Sequence, residues 1–112
     1  MVDAVRRGLS EALQAPADDP LVRLVEYPPS LFTVPYPERH SDRYVLIELT
    51  MFAGRSMETK RRLYRGIVDG LSGLDVPEDD IVIVIHEPPM HNWGVERGVP
   101  ASEVEIGFKV DI

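Results

Sequence analysis

Arg55 is the residue of this sequence best placed to do chemistry, because Gly54-Arg55-Ser56 turns the chain into a helix. At a helix N-terminus the unpaired backbone N–H groups and the helix dipole already favour an anion. A guanidinium added there makes a clamp for a carboxylate or a phosphate. An arginine in so acidic a chain also has an ordinary reading, an ion pair with a surface Asp or Glu, and the residues alone leave both open. Trp93, the only tryptophan, lies in His91-Asn92-Trp93-Gly94, just past an expected strand end and close to Arg97-Gly98. There it either walls a pocket with a polar tip to spare or simply packs, and Trp93 and Arg97 join Arg55 as candidate substrate-binding residues.

Other polar clusters have plainer readings. His86-Glu87-Pro88-Pro89-Met90-His91 is one residue too long for the helical His-Glu-x-x-His motif, and its prolines forbid the helix which that motif needs, so no metal site is expected. Asp18-Asp19 and Asp79-Asp80 read as solvated turns, and Lys60-Arg61-Arg62 with Arg65 as the wet face of a helix. The sequence has no glycine-rich phosphate loop and no nucleophile elbow.

The elements that must position these residues follow from the apolar spacing. Val5, Leu9, Ala12 and Leu13 fall on one face of a first helix that Pro16 ends. Residues 21–27 form a β-rich run closed by Pro28-Pro29, and the chain to about residue 40 reads as a surface loop. Residues 44–52 give the strongest strand. Ser56 then N-caps a second helix with Leu63, Ile67, Val68 and Leu71 on one face, closed by Gly70, Gly73 and Pro77. The continuous apolar run 81–85 predicts a strand buried on both faces. Val104, Ile106, Phe108, Val110 and Ile112 alternate with polar residues, which predicts a half-buried final strand over about 103–112.

Two stretches match in order: Arg7-Gly8, a helix, Pro16-Ala17-Asp18-Asp19, a strand and Glu26 before prolines; then Arg65-Gly66, Pro77-Glu78-Asp79-Asp80, a strand and Glu87 before prolines. Five features in register point to duplication, with a first repeat over about 1–40 and a second over about 43–98. The second helix follows a strand and a turn, whereas the first helix opens the chain, so the first repeat is expected to lack its leading strand.

Composition bounds the rest. A chain of 112 residues, 44% hydrophobic and 28% charged, is one folded domain. Its net charge of −7 repels phosphate backbones and anionic membrane surfaces, so neither nucleic acid nor membrane is an expected partner. Having no cysteine, it offers no disulfide or thiolate chemistry, and the cytoplasm is the expected setting.

The run from Phe52-Ala53-Gly54-Arg55-Ser56 to Leu63-Tyr64, followed by Pro77-Glu78-Asp79-Asp80, the apolar strand and Asn92-Trp93-Gly94, resembles the tautomerase superfamily. The likeness is to its duplicated branch, related to 4-oxalocrotonate tautomerase and malonate semialdehyde decarboxylase, and it covers nearly the whole chain. It implies an α/β fold of duplicated β-α-β units, two helices on one face of a mixed sheet, and a homo-oligomer, most simply a trimer. It also implies a cofactor-free tautomerase or isomerase acting on a small 2-keto or enol acid, a carboxylate-bearing substrate. Arg55 would hold the carboxylate, Trp93 would wall the site, and Asp19 would assist at the N-terminal proline that serves the superfamily as base, acid or nucleophile. That proline and its strand would lie upstream of Met1, so the alternative is a non-catalytic binding or assembly subunit of the same fold. The decarboxylase branch carries a second arginine where Ala53 stands, which argues against decarboxylation. The alternating tail resembles a tautomerase first strand, able to complete the sheet in its own subunit or a neighbour.

Overall fold

The computed structural model describes residues 1–14, 27–107 and 110–112. Helix α1 (Val2–Leu13) buries Ala4, Val5, Gly8, Leu9, Ala12 and Leu13, the stripe its spacing predicts. It stops at Gln14, whose left-handed backbone turns the chain away. The strand expected over 21–27 falls, except for Tyr27, outside the described residues, as do Pro16 and Asp19. The loop that follows contains one short 3-10 turn, Pro29–Leu31.

Strand β1 (Val45–Thr50), helix α2 (Met57–Ser72) and strand β2 (Ile81–His86) form a β-α-β unit, with the strands parallel and Val45 opposite Ile81 through Thr50 opposite His86. Ser56 caps α2 as expected, its hydroxyl accepting from the Thr59 N–H. Strands β3 (Gly94–Val95) and β4 (Val99–Pro100) add a small antiparallel ribbon. The two helices and one face of the parallel pair share a core in which Leu63, Ile67 and Leu71 are fully buried, with Val45, Ile47, Ile81, Ile83 and Ile85 packed against it. The α/β expectation of two helices on one sheet face therefore holds.

Within the single chain strand β2 is covered on one face, with Val82 and Val84 exposed, as is Leu46 opposite Val82; two other expectations change. Both helices lie on the inner side. Gly70 lies inside α2 rather than at its end, where a Cβ would meet the Ala4 Cβ at 3.2 Å. The final strand does not form among the described residues: Ala101–Glu103 is a 3-10 turn, and residues 104–107 and 110–112 join no sheet. Alternation is necessary for an edge strand, but pairing also needs a neighbouring backbone in register.

The helices cross at glycine. A Cβ on Gly8 would stand 3.1 Å from Ile67 Cγ1, and Gly66 is 3.8 Å from the Gly8 Cα at its own Cβ position. A Gly8→Leu chain is therefore expected to lose roughly 1–3 kcal/mol through overpacking, read as a lower urea midpoint. An unchanged midpoint would mean the helices separate freely.

Asp80 is also not the solvated turn residue expected, being 1% exposed while its neighbour Asp79 is exposed. Its carboxylate accepts from the Ser41 N–H at 3.2 and 3.3 Å and from the Ser41 hydroxyl, fastening the loop before β1 to the start of β2. Removing this charged acceptor leaves a part-buried donor without a partner, so Asp80→Ala should cost about 2 kcal/mol in denaturant unfolding. A loss near zero would show that water replaces the carboxylate.

Candidate functional site

Arg55 stands where the parallel strands end. The Met51 N–H donates to the His86 carbonyl at 3.0 Å, holding the exits of β1 and β2 together. In open α/β sheets this carboxyl end of the strands is where ligands bind. Gly54, at φ +129, takes a conformation other residues resist, and swings the chain into α2. Arg55 is 7% exposed, and its Nη1 donates to the Phe52 carbonyl at 2.8 Å. The guanidinium is thus held against the strand end rather than extended into solvent as a surface ion-pairing arginine would be.

Trp93 reaches the same place from the other strand. Residues Met90–Asn92 make a 3-10 turn after the two prolines, and the Trp93 ring meets Phe52 edge-on with centroids 4.7 Å apart. Its Nε1 donates to the Pro88 carbonyl at 3.0 Å. The polar tip expected to be spare is engaged, so the residue offers an apolar ring and no donor. Phe52, which the sequence reading did not single out, joins the two: its carbonyl receives Arg55 and its ring receives Trp93. A bulky aromatic two residues before the glycine turn was the signal available for it.

Arg97 does not join this contact. It is exposed at the tip of the β3–β4 ribbon, with φ 65, four residues beyond Trp93. The ribbon hangs from Trp93, whose carbonyl accepts from the Ala101 N–H at 2.9 Å. Asp19, proposed to assist catalysis, lies outside the described residues.

Lys60 also departs from the wet face expected of it. It is paired with Glu87 at 2.5 Å, both side chains less than a quarter exposed, and so ties α2 to the exit of β2. Arg61, Arg62 and Arg65 do stay on the wet face, close to Glu58, Asp69 and Glu78. His86 faces outward 3.8 Å from Glu48, and among the described residues no three His, Asp or Glu side chains gather into a metal-binding group.

Tyr44 lies at the opposite end of β1, about 20 Å away along a six-residue strand. It belongs to a chain of rings running Tyr27, Phe32, Tyr44 and His40. Among the described residues no helix is long and apolar enough to cross a membrane.

A buried guanidinium at a helix N-terminus, fastened to the carbonyl of a residue whose ring packs on a tryptophan, can hold a small carboxylate with an apolar part laid on the rings. Comparison with known proteins gives the family. Residues 19–96 match the model of a family described as tautomerase enzyme. A probable tautomerase of Ralstonia nicotianae is 36% identical over 58 residues, covering 51% of this chain and 81% of its own. Among solved structures, FG41 malonate semialdehyde decarboxylase inhibited by 3-bromopropiolate is 32% identical with a TM-score of 0.74, covering 90% of this chain and 79% of its own. A fused 4-OT symmetric trimer, at 22% identity, shares the fold with a TM-score of 0.78 over 90% of this chain and 81% of its own.

Proposed function

We propose that this chain, which belongs to the tautomerase superfamily, acts without a cofactor as a tautomerase or isomerase on a small 2-keto or enol carboxylic acid. The observation that carries this reading is the placement of Arg55, nine-tenths buried at the strand exits and fastened to Phe52, whose ring packs on Trp93. Arg55 holds the substrate carboxylate. Trp93 and Phe52 wall its apolar part, and Arg97 on the ribbon adds a cation at the rim. Proton transfer falls to a proline supplied ahead of these residues or to another base, with Asp19 assisting. The likeness to a decarboxylase of malonate semialdehyde, itself a small carboxylate, supports the substrate class. Ala53 in place of a second arginine speaks against decarboxylation itself.

The working state is a homo-oligomer, most simply a trimer, which the exposed apolar side of the sheet and the trimeric fused 4-OT of like fold support. A chain without cysteine suits a reducing cytoplasm. The same apolar face also suits a second reading, a binding or assembly subunit of this fold without turnover. Assaying the enol-to-keto conversion of phenylpyruvate separates them: a rate above background that depends on Arg55 is expected, and a rate indifferent to Arg55 removes its role.

A further inference from the structure

The contacts at the candidate site close into a ring that begins and ends at the start of α2. Arg55, just ahead of the helix, donates to the Phe52 carbonyl, and the Phe52 ring meets Trp93. The Trp93 indole donates to the carbonyl of Pro88, the neighbour of Glu87, and Glu87 returns to α2 through its ion pair with Lys60 at 2.5 Å. Residues 87–93 transmit that tie because they have little slack. Two consecutive prolines fix φ there, the Asn92 N–H donates to the Pro89 carbonyl at 2.8 Å, and the Trp93 N–H donates to the Met90 carbonyl at 3.2 Å.

Lys60 and Glu87 differ from the other ion pairs of α2. Their side chains are 20% and 24% exposed, whereas those of Arg65, Asp69 and Glu78 are each more than half exposed. An exposed pair contributes little, while one largely withdrawn from water is less screened and holds a single geometry. We propose that Lys60 is a positioning residue for the aromatic wall: by holding Glu87 it fixes the segment that carries Trp93, and so sets how well the site takes an apolar group. Lys60 acts through Glu87 and Trp93 rather than on the substrate. Arg55 is fastened separately, by the Phe52 carbonyl, so freeing Lys60 loosens the wall and leaves the carboxylate holder in place. This rests on the reading of Arg55 and Trp93 proposed above.

Trp93 is the only tryptophan, so its fluorescence reports the wall directly. Lys60→Met keeps the apolar stem without the charge, Glu87→Gln breaks the pair from its other end, and Lys60→Glu combined with Glu87→Lys exchanges the partners. Circular dichroism checks that each chain is folded. In both single variants acrylamide quenching of Trp93 is expected to rise. Calorimetric affinity for phenylpyruvate is expected to fall roughly fivefold, about the worth of one aromatic contact, while affinity for pyruvate, which has no ring, stays the same. The exchanged pair should recover both the quenching and the affinity. Folded single variants that bind phenylpyruvate as the parent does, equal losses for the two acids, or a loss that the exchange leaves in place would each overturn the role of Lys60. With parental binding still lost on Arg55→Ala, those results would leave the carboxylate site standing. A parent chain that binds neither acid, or binds them as well after Arg55→Ala, would remove the carboxylate reading and this inference together.

Discussion

Replacing Arg55 with alanine is expected to lower kcat/KM for phenylpyruvate tautomerisation, and the affinity for the same acid, by roughly a hundredfold. The reasoning starts from burial. Arg55 is 7% exposed at the end of β1, where a charge-assisted bond to a carboxylate is less screened than one at the surface. Its orientation is set by the Phe52 carbonyl at 2.8 Å, so little side-chain freedom is lost when an anion arrives. Arg55→Lys keeps the charge but not the planar fork, and should recover only part of the loss. The alanine variant also strips the Phe52 carbonyl of a donor, at about 1 kcal/mol of stability, so rates are compared at a temperature where circular dichroism shows both chains folded. A folded Arg55→Ala chain with unchanged kcat/KM would show that the carboxylate sits elsewhere.

Val82→Glu is expected to turn an oligomer into a monomer. Leu46, Val82 and Val84 are each more than a third exposed on the outer side of the sheet, and Leu46 lies directly opposite Val82. Covering this side removes them from water, while a glutamate in their midst leaves an unpaired charge buried at each contact, a cost of about 3–5 kcal/mol. Repeated around a closed ring, that penalty abolishes assembly at micromolar concentration. The protomer fold should survive, because the Val82 side chain points away from the core. Light scattering behind gel filtration reads both results. A monomeric parent protein, or a Val82→Glu chain that assembles as the parent does, would place the subunit contact on another surface.

What the sequence revealed was local, and what it hid was tertiary. Ser56 reads as an N-cap because its chemistry concerns only the next three residues, and the α1 stripe reads correctly because helical spacing alone places Val5, Leu9, Ala12 and Leu13 on one side. Asp80 looks the same in sequence whether its turn faces water or Ser41, and only the approach of the preceding loop decides. The run 81–85 is apolar throughout, so nothing in it distinguishes a face covered by helices from one left for another subunit. Lys60 was grouped with Arg61 and Arg62 by charge, yet helical geometry turns it toward Glu87. The tail's alternation predicts a strand, and Ser56, which reads only as a cap, also donates to the Ile112 oxygen. For the candidate site, the turn chemistry singled out Arg55 and the loop setting singled out Trp93. Phe52, the residue that joins them, carried no motif of its own.

The most direct test of the central claim, that Arg55 holds a substrate carboxylate beside an aromatic wall, is a crystal structure of the protein with phenylpyruvate bound. The account predicts the carboxylate about 3 Å from the Arg55 guanidinium and the phenyl ring against Trp93. Density for the acid away from the exits of β1 and β2, with Arg55 still bound only within the protein, would contradict it.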